Sequence, residues 1–144
     1  MEPTNDYQKL ENQICFPLYA ASRLVTKCYQ PLLKDFGITY PQYLVLLVLW
    51  EKDEVSLSYI SERLLLQSNT LTPLVKRMEE MELLSRKRSD TDERSIIISL
   101  SDKGKQMKTE AQQVPVALAS NFQFSVEEMI TLKGLLDKLI RNVE

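Results

Sequence analysis

The 144-residue chain carries 18 Lys and Arg against 20 Asp and Glu, a net charge of −2, with 44% hydrophobic residues, two cysteines and no histidine. That composition suits one globular domain with its own core and argues against disorder. Without histidine there is no Cys–His or Ser–His catalysis, and two cysteines alone cannot build a structural zinc site, so no cofactor is expected.

Along the chain, Leu10, Ile14, Leu18, Ala21, Val25 and Tyr29 recur at helical spacing and predict a first helix over residues 8–33, interrupted at Pro17 and ended by Pro31. Thr39 is a candidate cap for a second helix opening at Tyr40-Pro41. Its apolar run, residues 43–50, is too short for a bilayer span of about 18 residues. The opening Met-Glu-Pro-Thr-Asn-Asp lacks the basic and apolar regions of a signal peptide. A cytoplasmic location and no membrane are therefore expected. Residues 53–56 read as a break, after which Ser56 caps a short amphipathic helix over 57–65. A further helix is expected over about 68–83, with Leu71, Leu74, Val75, Met78 and Met81 facing inward. The period then changes. Residues 85–88 and 95–100 read as two strands around the charged turn 89–94. Ser101-Asp102 opens a helix reaching about Ala119, and a last helix runs over 125–143.

A short helix, a polar turn, a second amphipathic helix and a charged hairpin describe a winged helix-turn-helix. The expected fold is mainly α with a small β-hairpin wing, one domain over 1–144. Residues 38–100 would form the DNA-binding lobe, and 8–35 and 101–143 would form dimerisation helices. Ser68, Asn69, Thr70 and Thr72 put small polar groups where a recognition helix meets base edges and phosphates, with Lys76 and Arg77 one turn later. Pro73 lies near enough to the helix start to be tolerated. On or beside the wing stand Arg86, Lys87, Arg88 and Arg94, and Asp92 is placed to hold the Arg94 side chain; such an Arg suits the minor groove. A capping run and a solvated turn are the plainer readings of each piece, but their order favours duplex DNA. The apolar end segments exceed what the small lobe can cover, so a two-fold homodimer reading a palindromic operator is expected.

Four stretches carry a resemblance: Leu10-Glu-Asn-Gln-Ile-Cys15-Phe16, Thr39-Tyr-Pro-Gln-Tyr-Leu-Val-Leu-Leu-Val-Leu-Trp50-Glu51, Asn69-Thr-Leu-Thr-Pro-Leu-Val-Lys-Arg-Met-Glu79 and Asp92-Glu-Arg-Ser95. Over its whole length the chain resembles the MarR family, and more closely its organic-hydroperoxide-sensing (OhrR-like) branch. The resemblance implies a repressor in which Cys15 is the reactive thiol. Tyr29 and Tyr40 would hydrogen-bond its sulfur, Tyr40 from the dimer partner, with Tyr19 nearby. An organic hydroperoxide would oxidise the thiolate to a sulfenic acid, a thiol would condense with it, and the operator would be released. Hydroxyl donors would favour the reactive thiolate.

Pro17 either restarts the helix, placing Cys15 near a helix N-terminus, or kinks it without chemical consequence. Cys28 lies about 20 Å from Cys15 on one helix, too far for an intrachain disulfide. A small-molecule thiol is therefore the expected resolving partner and Cys28 a bystander. Three other readings stay open: a repressor released by a small aromatic ligand, a thiol peroxidase, and a winged-helix protein-interaction module.

Overall fold

The computed structural model describes residues 6–144; the first five, read above for the lack of a signal peptide, lie outside the described residues. The chain forms two compact units, the first ending at Ala111 and the second spanning Gln112–Glu144.

In the first unit, single turns of 3-10 helix at Asp6–Gln8 and Leu10–Asn12 precede α1, Cys15–Leu33. The expected start at residue 8 is thus corrected to Cys15. Pro17 gives the physical reason, because it has no N–H to offer the Gln13 carbonyl and its ring crowds that group. As the third helical residue, Pro17 occupies a first-turn position whose N–H would have no intrahelical partner anyway. The reading in which Pro17 sets Cys15 at a helix N-terminus therefore holds in outcome, with Cys15 rather than Pro17 opening the helix. Pro31 does not end α1. It lies inside the helix, which runs on to Leu33 and a 3-10 turn at Lys34–Phe36, closed by left-handed Gly37 at φ 68°.

The second helix, α2, is Tyr40–Glu51, and the Thr39 N–H donates to Gln42 Oε1 at its start (2.9 Å). It packs against α1, α3, α4 and α5, which is why it is apolar on nearly every side. Val45, Leu46 and Leu49 are buried in it, although Leu47 stays exposed. A two-residue strand β1, Val55–Ser56, follows where only a break was expected. Ser56 Oγ then accepts the Tyr59 N–H (3.0 Å) and caps α3, Leu57–Leu64. The next helix, α4, is Ser68–Glu80, with Leu71, Val75 and Met78 fully buried.

The wing strands are β2, Leu84–Arg88, and β3, Ile96–Leu100. All pairs are antiparallel in the order β1-β3-β2, with Val55 opposite Ile98 and Arg86 opposite Ile98 on the other side. The hairpin is therefore a three-stranded sheet. Periodicity cannot reveal a strand of two residues; its pairing with β3 creates it.

Ser101 Oγ accepts the Gly104 N–H (3.1 Å) and donates to the Glu82 carbonyl (2.6 Å), opening α5 at Asp102–Glu110. A Cβ on Gly104 would collide with the Leu83 carbonyl, so α5 approaches the turn before the wing more closely than any side chain permits. The single helix expected over 101–119 is instead α5 and then α6, Gln113–Phe122, in the second unit. Pro115 explains the break, since it cannot donate to the Ala111 carbonyl and crowds it.

In the second unit α6 is followed by α7, Val126–Val143. Its capping box is reciprocal: Ser125 Oγ accepts the Glu128 N–H (3.1 Å), and Glu128 Oε2 accepts the Ser125 N–H (2.8 Å). Val126, Ile130, Leu132, Leu135 and Leu139 of α7 are exposed. No single helix among the described residues is long and apolar enough to cross a membrane.

Candidate functional site

The chain entering α1 and the first half of that helix present an open apolar surface: Ile14, just before the helix, is 80% exposed, with Leu10 of the preceding turn and Phe16, Leu18, Tyr19 and Leu24 also open. Cys15 stands among them, exposed and free. Tyr19, one turn on, has the Arg23 guanidinium 5.3 Å above its ring.

Tyr29 is on the same helix as Cys15, about 20 Å further along at the helical rise. Cys15 therefore cannot reach it within one chain. What Tyr29 does meet is Tyr40: their rings stack at 4.3 Å, because the turn through Gly37 folds α2 back beside the end of α1. The two tyrosines are thus one unit belonging to one subunit. Tyr43 lies 5.7 Å from Tyr29 and meets Trp50 edge-on at 6.0 Å. Trp50 Nε1 donates to the Gly104 carbonyl (2.9 Å), and Lys108 Nζ donates to the Trp50 carbonyl (3.1 Å).

Burial pushes the Tyr29 hydroxyl up to about 12, reinforced by Tyr40 and Tyr43. Burial also raises Tyr40, against an opposing hydrogen bond from Tyr29, and raises Tyr43. All three keep their protons at neutral pH and remain O–H donors. A cleft of 520 Å³ opens beside the pair, lined by Thr26, Gln30, Lys34, Ile38, Thr39 and Tyr40 among others.

On α4, Ser68, Asn69, Thr70, Thr72, Pro73, Lys76 and Arg77 are all exposed, on the side opposite Leu71, Val75 and Met78. The Thr72 hydroxyl donates to the Ser68 carbonyl (2.8 Å), leaving its lone pairs as acceptors. Pro73 is the sixth helical residue, deeper than expected, and leaves the Asn69 carbonyl without its helical donor.

In the wing Lys87, Arg88 and Arg94 are exposed. Arg86 is not free: its backbone N–H donates to Glu79 Oε2 (2.8 Å), and Nε and Nη2 donate to Oε1 (3.3 and 3.2 Å). Strand parity is the reason. Residues directly opposite share a face, so Arg86 lies on the side of buried Val55 and Ile98, toward α4. Asp92 differs from expectation too. Its Oδ1 accepts the Arg94 backbone N–H (3.0 Å), and no ion pair joins the two side chains among the described residues.

Tyr43, Trp50 and Glu79 were not singled out from sequence. Tyr43 follows Tyr40 at helical spacing, and the parity of Leu84-x-Arg86 against Ile98 carries the signal for Glu79. Asp53 was missed as well: its Oδ1 accepts the Leu100 N–H (2.9 Å) and fastens the end of β3.

Residues 27–111 match the family model of the transcriptional regulators SarA/Rot. The chain is 47% identical over 143 residues to the organic hydroperoxide resistance transcriptional regulator of Bacillus subtilis (strain 168), covering 99% of this chain and 97% of that one. Among solved structures it is similar to AbfR of Staphylococcus epidermidis. Reduced AbfR bound to DNA gives a TM-score of 0.81 at 38% identity, covering 97% of this chain and 99% of that one. Overoxidized AbfR bound to DNA gives 0.79 at 38%, covering 96% and 98%. By its winged lobe and by these relatives, the chain belongs to the MarR/SarA family of winged-helix transcriptional regulators.

Proposed function

We propose that this chain is a homodimeric repressor that holds a palindromic duplex operator while Cys15 is reduced and releases it when an organic hydroperoxide oxidises Cys15. The observation that carries the reading is the separation of two half-sites in one chain. Cys15 stands exposed at the start of α1, and two protonated hydroxyls are paired at the other end. Only a second copy can bring the thiol to the tyrosines, and the apolar residues around Cys15 are the surface that pairing would bury. Tyr29 and Tyr40 of one subunit then donate to the sulfur of the other, with Tyr19 beside it. Because Tyr29 stacks on Tyr40 within one chain, the two tyrosines would reach the sulfur together from the same partner subunit.

In the reaction the thiolate sulfur attacks a peroxide oxygen. The O–O bond breaks, an S–O bond forms, and the alkoxide takes a proton and leaves as an alcohol. A small-molecule thiol then attacks the sulfenic sulfur, forming an S–S bond and releasing water. Cys28 is half-buried and too far along α1 to do this within the chain. Each chain is spent once until reduced again, so it works as a switch in the cytoplasm and not as a turning-over enzyme.

DNA contact falls to Ser68, Asn69, Thr70 and Thr72 at the α4 N-terminus, to Lys76 and Arg77 on the backbone, and to Lys87, Arg88 and Arg94 of the wing. Residues 8–35 and 101–143 serve dimerisation, and 38–100 serve DNA.

A fluorescence-anisotropy titration on the DNA upstream of the protein's own gene tests this. Reduced protein binds, protein treated with organic hydroperoxide plus a small thiol releases, and Cys15→Ser stays bound under treatment. Release by Cys15→Ser under the same treatment overturns it. The cleft beside Tyr40 favours one second reading, release by a small aromatic ligand without thiol chemistry. Oxidant-insensitive binding that an added aromatic carboxylate relieves would establish that reading instead.

A further inference from the structure

Glu79 and Arg86 join two parts that approach DNA separately. Glu79 is one residue from the end of α4, and Arg86 is central in β2. Between them the chain turns sharply, with Glu82 left-handed at φ 61°. The turn itself is held by backbone bonds from the Met81 N–H to the Arg77 carbonyl and from the Leu83 N–H to the Met78 carbonyl (both 3.0 Å). One carboxylate then takes three donors from Arg86, its backbone N–H included. An ion pair through side chains alone would tie α4 only to the flexible end of Arg86, while β3 holds the strand's other edge. The backbone bond ties α4 to the strand itself.

We propose that the Glu79–Arg86 clasp locks the wing to the recognition helix, making Glu79 a positioning residue that sets how strictly the protein distinguishes its operator from other DNA. The clasp rests on the DNA-binding reading above. Base readout needs the α4 N-terminus and the wing to meet their grooves together, whereas phosphate attraction tolerates any geometry. The clasp acts on the first requirement. It also neutralises Arg86, so that a cation on the wing is withheld from the backbone. Glu79 is held below the usual carboxylate range, first by the Arg86 backbone N–H and then by its guanidinium, so the clasp stays charged at neutral pH.

The two partners of the clasp therefore fail differently. In Glu79→Gln the geometry is loosened and Arg86 is set free. Non-specific affinity rises several-fold at low salt, and the slope of log K against log salt steepens by about 0.9, one phosphate contact. The ratio of operator to scrambled-duplex affinity falls about tenfold. In Arg86→Gln the ratio also falls, but non-specific binding and the salt slope do not rise. Arg86→Lys keeps the charge and the backbone N–H while losing the two-nitrogen grip, and its ratio is intermediate.

The experiment is anisotropy of the reduced full-length protein and its three variants on the operator and a scrambled duplex across a salt series. Unchanged ratios in Glu79→Gln and Arg86→Lys, or equal losses on both duplexes, overturn the clasp. If Glu79→Gln fails to fold, Arg86→Lys decides alone. Wild-type protein that does not discriminate between the duplexes would defeat the DNA-binding reading itself, a result distinct from failure of the clasp.

Discussion

In the winged lobe Leu46, Ile60, Leu71, Val75, Met78 and Ile98 have no exposed surface, while from the turn before α1 to the middle of that helix Leu10, Ile14 and Leu24 keep 60%, 80% and 63% of theirs. Both stretches are rich in apolar residues. They differ in where the covering partner lies in the sequence. The lobe finds its own within about 60 residues, whereas the stretch around the start of α1 keeps its apolar side open in the single chain, the side the proposed dimer would cover. Apolar content thus marks what must be covered, and only the fold says by whom.

Four experiments break or sharpen that contrast. The largest effect is expected in the lobe: Leu46→Ala, deep in α2, destabilises the protein by about 3 kcal/mol in chemical denaturation whatever the protein concentration. The matched change at the α1 surface, Ile14→Ser just before the helix with Leu24→Ser within it, acts through association. It weakens the dimer about tenfold or more, about 1.4 kcal/mol, in sedimentation equilibrium, and the far-ultraviolet helical signal is kept at high concentration. A smaller loss tests local order in the lobe. Ser56→Ala removes the α3 cap and costs about 1 kcal/mol in the denaturation midpoint, with no change in dimer affinity.

The smallest effect is read by titration. Tyr29 is raised to about 12, so its burial favours the neutral folded form. That contribution is fully present below the free tyrosine value of about 10 and is lost as pH rises through 12. Phenolate absorbance should accordingly rise in two stages, and Tyr29→Phe should remove the latest part. An unchanged late stage in that variant would place Tyr29 in water and undo the stacked pair.

Much of the lobe was legible because its signals are local. Thr39 and Ser56 mark helix starts, and the spacing of Leu71, Val75 and Met78 marks the inner side of α4. Other features depend on pairing or topology. Val55–Ser56 becomes a strand only beside β3, and Arg86 turns inward only because its register with Ile98 says so. The Ala111 break was legible in Pro115 but masked by the apolar run around it. Of the candidate thiol site, the turn at Gly37 was legible, but the stacking of Tyr29 on Tyr40 depends on how α2 folds back past it, which no period predicts. The resemblance named those tyrosines; the fold shows them stacked against each other.

Trp50 is the chain's one tryptophan, and its place gives the protein a built-in optical gauge. The indole N–H is fastened to the Gly104 carbonyl, and the ring meets Tyr43 edge-on at 6.0 Å, with Tyr29 and Tyr40 beyond. Light absorbed by those tyrosines passes to the indole over such distances. The colour of its emission depends on the carbonyl dipole at its N–H. A shift of the tyrosine pair alters how much excitation arrives, and a shift of α5 alters the wavelength at which it leaves. Intensity and colour thus report separately on the two sides of α2, with no dye attached.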